Sequence, residues 1–370
     1  MVNKTLRVSG ALLIIITLNC MPYVSRTRKE SLVRVAIECG VDQARVSGMR
    51  GSKYYRDYRV TRNDGFPFHL GPRDGKVNIN GRDYRGSLEI RKIDANLWVI
   101  NVVDIESYLK GVVPCEIGGV PEKQIEAAKA QAVAARTYAC AHFGQYQELG
   151  FDLYASVQDQ VYRGIDCERD ITNRAIQSTA GEVLLYRNQP IEAKYHSTCG
   201  GRTADFNDAW SGNAPPYLRS VSCRYCRNSP HYEWKKEMTK KEFFVHLRTR
   251  LRKINLNIEQ DELIYSFRLN RNKRSKRVTH FVLVTNKNEY TIPTYRLRTL
   301  FGQPGDPGGL LKSSYVFIKT KGDKVVIEGK GFGHGVGMCQ FGALEMANQG
   351  KNYRQILYHY YRGTRIRKIR

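Results

Sequence analysis

The most restrictive feature of the chain is an alanine-rich segment in its first half. Ile125, Ala128, Ala132, Ala135 and Ala139 recur at helical spacing and lay a narrow stripe of small side chains along one face. Small side chains let another backbone approach closely, so the fold has to seat a second element against this helix. Pro121 suits the first helical position, where a missing N–H costs nothing. Gly144 is a plausible C-terminal cap. Gln124, Gln131 and Tyr138 fall seven apart on a second face, and Lys129 and Arg136 lie on a third.

Around this helix the pattern alternates between strand and helix. Residues 31 to about 110 read as strands and turns, with Leu32 to Ile37, Val77 to Gly81 and Leu97 to Val103 as β-rich runs. A helix over Asp170 to Thr179 and a strand near Glu182 to Tyr186 follow, then a Gly- and Pro-containing loop from Ser211 to Pro230. After residue 235 comes a basic helix, Lys240 to Lys253, and strands near Tyr265 to Leu269, His280 to Thr285 and Tyr315 to Ile318. The run Arg271 to Arg277 reads as an exposed basic hairpin tip. The expected fold class is α+β. A mixed core lobe, residues 31–234, carries the long helix. A second, mostly β lobe spans 235–330. A glycine-rich loop and a C-terminal helix, residues 331–370, return to the core. No repeat or low-complexity segment interrupts this plan.

The first 20 residues narrow the compartment. Lys4 and Arg7 precede a largely apolar run, Val8 to Leu18. A basic start and a short apolar stretch read as an export signal, and the run is short of the roughly 20 apolar residues that span a bilayer. Residues 1–20 are therefore expected to be a signal peptide or an N-terminal membrane anchor. Cys20 keeps cleavage, lipidation and retention all open. The protein is expected in the extracytoplasmic cell envelope, touching membrane only through this segment.

Charge then selects partners. The 370 residues carry 60 Lys and Arg against 35 Asp and Glu, a net charge of +25. Such a field gathers polyanions: nucleic acid, anionic wall polymer or a phospholipid surface. The leader and the lack of a basic-aromatic motif exclude nucleic acid as the expected partner.

Four segments look chemical and not structural. They are Gly111 to Gly118 with Glu116, Gln158 to Gly164, Tyr195 to Thr203, and Gly329 to Gly342 with His334. Glu116 lies in a tight Pro/Gly context just before the long helix. It can serve as an acid, or simply favour the following helix N-terminus. The glycines of the last segment permit close backbone approach, as a binding loop needs. Gly335 and Gly337 leave His334 little packing, which favours a functional role for it.

In these segments the chain resembles the SpoIID/LytB family of cell-wall proteins. Its V-P-x-E element, K-A-Q-A-V-A-A-R-T-Y helix, Q-x-Y-x-G turn, S-x-x-G-G-x-T turn and G-H-G-V-G-M-x-Q-x-G-A loop correspond to Val113 to Glu116, Lys129 to Tyr138, Gln160 to Gly164, Ser197 to Thr203 and His334 to Ala343. The resemblance implies work on peptidoglycan glycan strands. One branch looks like lytic transglycosylases, which cut between N-acetylmuramic acid and N-acetylglucosamine without water. The other is associated with modifying an amidase partner. In the first case Glu116 matches the family's acid, and a single carboxylate suffices because the sugar's C6 hydroxyl attacks the anomeric carbon. Gln160, Tyr162, Ser197, Thr203, His334 and Gln340 are then the expected sugar contacts. Gln131, Arg136 and Tyr138 either face the glycan or are buried polar residues holding the helix. A cleft is expected where Glu116, the Ser197 to Thr203 turn and His334 converge.

The reaction requires no cofactor. Cys223-Arg224-Tyr225-Cys226, Cys199 and the neighbouring His196 would suit tetrahedral zinc, while a disulfide or redox pair reads the same way. His231, five residues beyond Cys226, is a further imidazole within reach. Cys115 and Cys339 stand where the family often has a small hydroxyl residue, and would crosslink if both lined the cleft.

Overall fold

Alternation builds the first layer. In the strand Leu32–Val41 the side chains of Val33 and Val35 point inward and are fully buried. This strand pairs antiparallel with Asn96–Asp104, in a register that sets Val33 against Val103 and Val35 against Asn101. Together with Phe68–Leu70, Ser87–Ile93 and the short parallel strand Leu153–Tyr154 they form a five-stranded sheet. A four-stranded sheet of Lys53–Thr61, Gln43–Arg50, Val77–Ile79 and Arg82–Tyr84 lies alongside. The computed structural model describes residues 32–256, 258–259, 261–302, 306 and 309–369. The leader of residues 1–20, with Lys4, Arg7 and Cys20, lies outside them.

The strand Asn96–Asp104 runs straight into a helix, α1, Ile105–Ile117. Asp104 caps it, its Oδ1 accepting from the Ser107 N–H at 2.9 Å. This differs from the expected strand-and-turn reading up to residue 110. Glu116 stands on the last turn of α1, just ahead of the long helix. Pro114 sits inside α1, and Gly118, at φ 78°, ends it by donating its N–H to the Pro114 carbonyl.

A short 3₁₀ turn, Glu122–Gln124, leads into α2, Ile125–Ala141. The stripe proves to be only part of its buried surface. From Ala127 to Ala139 every residue but Lys129 is buried. Helix α1, the following helix α3 (Asp170–Ser178) and the strand Glu182–Tyr186 pack against it, as does the C-terminal segment. A helix enclosed on all sides needs small side chains where neighbours come close and full pairing where a polar group is trapped. Arg136 meets that need: its guanidinium forks onto Glu106 of α1 at 2.7 and 2.8 Å and donates to the Glu182 carbonyl at 3.0 Å.

The second lobe begins with the strand Glu233–Thr239. Thr239 caps α4, Lys240–Lys253, in a reciprocal box with Glu242. The strands Ile264–Arg271, Val278–Thr285 and Glu289–Pro293 form one sheet, and α5, Thr294–Phe301, follows. Val316–Lys321 and Lys324–Lys330 join Glu233–Thr239 in another. Phe243, Leu247, Phe281 and Phe301 are central to a core separate from that around α2. The turn between the first two strands of Ile264–Pro293 contains Arg271 to Arg277, and Lys273, Arg274 and Lys276 are exposed as expected of a hairpin tip, but the run is not wholly solvated. Arg277 is fully buried, and the Asn272 amide reaches Asp205 and Asp208 at 3.1 and 2.7 Å.

The chain then re-enters the first core. Met338–Cys339 pairs in parallel with Tyr195–His196. Helices α6, Gln340–Asn348, and α7, Tyr353–Tyr360, cover α2, and Arg365–Lys368 adds an edge to Glu182–Tyr186. The architecture is α+β. No helix among the described residues is long and apolar enough to cross a membrane.

Gly111, in the middle of α1, tests how tightly this core is joined. A Cβ there would lie 2.5 Å from the Tyr162 ring and 3.0 Å from the Gly164 carbonyl. Gly111→Ala should therefore lower the unfolding free energy by about 1–3 kcal/mol, measured by urea denaturation. An unchanged midpoint would show that the Gln160–Gly164 turn yields freely.

Candidate active site

Glu116 is the hub of the site. Its Oε1 accepts the Val161 N–H at 2.8 Å. The Gln340 amide and the Tyr195 hydroxyl also face its carboxyl and favour its ionised form. Three separated segments thus converge on one carboxylate: the end of α1, the turn after α2 and the strand–helix junction at α6. Burial opposes ionisation and is the largest influence on this group. The three donors favour the ionised form but do not outweigh it, and the pKa is pushed up from its usual 4.5 to about 7. Part of the side chain still faces solvent.

A polar chain supports the hub from behind. The Tyr108 hydroxyl donates to Gln160 Oε1 at 3.1 Å, and Gln160 Nε2 donates to the Tyr195 hydroxyl at 3.0 Å. The Tyr195 oxygen therefore accepts from Gln160 while its proton faces Glu116. On the other side Gln340 Nε2 donates to Gln131 Oε1 at 3.4 Å. Gln131 is buried, and its own Nε2 has no hydrogen-bond partner among the described residues. Tyr195 opens one of the four chemical segments but is not among the expected sugar contacts. Its signal is weak in sequence, because nothing in a lone tyrosine shows which way its hydroxyl points.

Other expected contacts turn out to be supports. Arg136 is committed to Glu106 and carbonyl groups and does not face Glu116. Tyr162 is buried, with its hydroxyl on Asn101 Oδ1 at 2.8 Å. Thr203 is buried and accepts the Val221 N–H at 2.8 Å. His334 braces the backbone: its Nε2 donates to the Tyr195 carbonyl at 2.9 Å, and its Nδ1 accepts the Val336 N–H at 3.1 Å. Both ring nitrogens are thus used to position the tyrosine strand. Gly335 is obligatory beside it, at φ 85° with Arg277 where a Cβ would stand. Tyr138 donates to Asp159 Oδ1 at 2.9 Å, and Lys194 lies 5.0 Å over its ring. Ser197 is half-buried, its hydroxyl 3.2 Å from that of Thr198 and its carbonyl accepting the Phe341 N–H at 3.1 Å.

The cysteines divide differently from the expectation. Cys115 is bonded to Cys167, not to Cys339, and joins the last turn of α1 to the turn that follows Val161. Cys339 instead gathers with Cys199, Cys223 and Cys226, four buried sulfurs within 4.8 Å of one another. His196 is outside this group; its Nδ1 lies 3.1 Å from the Val336 carbonyl. His231 is outside it as well, with its ring against Phe332.

Two measurements bear on this geometry. Cys167→Ser opens a loop of 52 residues and should cost about 2–4 kcal/mol of stability; reduced wild-type protein should melt with the variant. Glu116 sets a pH signature. The unfolded chain releases this proton near its usual 4.5 and the native protein only near 7, so wild-type stability declines as pH rises between those values. Glu116→Gln lacks that decline, and its stability relative to wild type should improve from pH 4.5 to 7 by up to roughly 3 kcal/mol. A pH-independent difference would show that Glu116 is not buried against its charge.

Comparison with known proteins finds relatives over most of the chain. Residues 94–186 match the family model for the stage II sporulation protein SpoIID, and residues 225–337 match a domain of unknown function (DUF8618). Stage II sporulation protein D of Bacillus subtilis is 32% identical over 288 residues, 74% of this chain and 76% of that protein. An uncharacterized protein of Brachyspira hyodysenteriae is 34% identical over 289 residues, 78% of this chain and 73% of its own. The amidase enhancer of Bacillus subtilis is 29% identical over 335 residues, and the match spans 45% of its length. The first family match contains Glu116, α2 and the Gln160–Gly164 turn.

Proposed function

The chain belongs to the SpoIID family, and on that premise we propose that it is a peptidoglycan lytic transglycosylase with Glu116 as its acid and base. One observation carries the reading: a single half-buried carboxyl, held by three donors, with its pKa pushed up to about 7. Such a group is protonated often enough near neutrality to give its proton away, and basic enough afterwards to take one back. The donors around it hold the side chain in place and stabilise the anion left by the first transfer.

The step balances with one carboxyl. Glu116 protonates the oxygen between N-acetylmuramic acid and N-acetylglucosamine, and the bond from the anomeric carbon to that oxygen breaks. The muramic acid C6 hydroxyl attacks the anomeric carbon, and its proton passes to Glu116. The products are a 1,6-anhydro-muramic end and a free N-acetylglucosamine end. No water is consumed and no second carboxylate is needed. The Cys115–Cys167 bond supports an extracytoplasmic location, and the net charge of +25 suits an anionic wall.

A second reading rests on the likeness to the amidase enhancer. In it the same surface binds glycan and stimulates a wall amidase without cutting the strand.

Mass spectrometry of purified glycan strands after incubation tests both. Anhydro-muramic ends are expected with wild-type protein, falling at least ~10²-fold with Glu116→Gln. The rate should decline as pH rises through about 7, where Glu116 loses its proton. Reducing ends would mean hydrolysis. Intact strands, with an amidase accelerated equally by wild type and Glu116→Gln, would overturn the enzyme reading in favour of the modifier.

A further inference from the structure

We propose that Cys199, Cys223, Cys226 and Cys339 bind a structural zinc ion, with Cys339 and not His196 as the fourth ligand. The four sulfurs are buried and lie within 4.8 Å of one another, with Cys199 and Cys226 at 3.4 Å. Tetrahedral zinc at 2.3 Å from each sulfur separates neighbouring sulfurs by roughly 3.8 Å, within that spread. A thiolate set of this geometry favours zinc over the harder divalent cations. None of the four is paired in a disulfide.

The surroundings are those of an anionic centre. Backbone N–H groups aim at Cys339 Sγ from Cys199 at 3.3 Å and from Gly342 at 3.4 Å. The Tyr360 hydroxyl lies 3.3 Å from Cys223 Sγ. Space around the cluster is tailored: a Cβ on Gly342 would stand 2.8 Å from Cys223 Sγ and 2.2 Å from the Tyr360 oxygen. A separate observation concerns charge. Arg277 comes from the second lobe, is fully buried, and has no carboxylate within ion-pair distance among the described residues. Its Nη2 donates to the Cys199 carbonyl at 2.9 Å, while Nε and Nη1 have no hydrogen-bond partner there. Asp208 attracts it from a distance without pairing with it, and a buried cation left unpaired is costly. Four thiolates around a divalent ion carry two net negative charges and would supply a counter-charge across the Cys199 backbone.

The site has a structural consequence. Its ligands come from the Cys199 turn, the Cys223–Cys226 turn and the start of α6. Cys339 directly precedes Gln340, which reaches Glu116. Zinc would therefore hold the α6 terminus in register with the Tyr195 strand. The site is a clamp for the hub and takes no part in bond breaking, so it stands whether the protein cuts glycan or modifies an amidase.

Elemental analysis of the purified chain tests it directly. About one zinc per chain is expected, retained in His196→Ala and Cys140→Ser and lost in Cys226→Ser and Cys339→Ser. Because the last two may be unstable, wild-type protein is also exchanged with Co(II). The intense visible bands of a tetrahedral tetrathiolate are expected, and chelation by phenanthroline should lower the melting temperature. Metal-free wild-type protein with the four sulfurs oxidised to disulfides would overturn the proposal, as would iron in place of zinc. Loss of zinc in His196→Ala with retention in Cys339→Ser would overturn the assignment of the fourth ligand.

Discussion

Enclosure of α2 on every side is the constraint on which the rest of the structure depends. A helix seated between α1, α3, α6, α7 and the Glu182–Tyr186 strand cannot carry large side chains at its contacts. Its alanines keep the neighbours close, and closeness brings α1 and α6 to the same end of the helix. Glu116 and Gln340 then meet, although 224 residues separate them. The few polar groups on α2 must be paired because they are trapped. Arg136 is the clearest case: its fork on Glu106 ties α1 to α2 just as the site needs α1 held.

The candidate site follows from this packing through a conflict between burial and hydrogen bonding. Burial favours the neutral form of Glu116, and the groups around it favour the ionised form. Together they leave it near the middle of the useful range. The donors are not independent of the fold. Val161 is placed by the turn packed on Gly111, Tyr195 by the strand that His334 braces, and Gln340 by the junction that follows Cys339. Each of the motif segments therefore contributes one support, and only some of their polar side chains remain for substrate.

Local signals in the chain read well where a short stretch decides its own structure. The helix at Lys240–Lys253 and the strands after it lie close to where composition and period put them. Asp170–Ser178 does too, because its periodicity is complete within a few residues. Glu116 was harder. Pro114 and Gly118 suggest a turn, yet the residues before them, Ile105 to Val113, have apolar positions that α2 can bury, and tertiary packing carries the helix through the proline. Arg271 to Arg277 misled for the same reason: a run of charges looks solvated unless a distant partner covers it, and the partners here, Asp205, Asp208 and the Cys199 carbonyl, belong to another lobe.

By itself the sequence determined that a small-residue helix must be buried, that Glu116 is the carboxylate of interest, and that cysteines beyond a simple pair invite a metal or a bridge. Those conclusions rest on residue type and spacing, which are local. Tertiary structure alone decided which side chains share a face of the site. It made His334 a brace for the Tyr195 strand, turned Arg136, Tyr162 and Thr203 into supports, joined Cys115 to Cys167, and replaced His196 by Cys339 beside the other thiols. The physical reason is register. A one-residue step along a strand reverses the direction of a side chain, and the parallel pairing of Tyr195–His196 with Met338–Cys339 is made between segments more than a hundred residues apart.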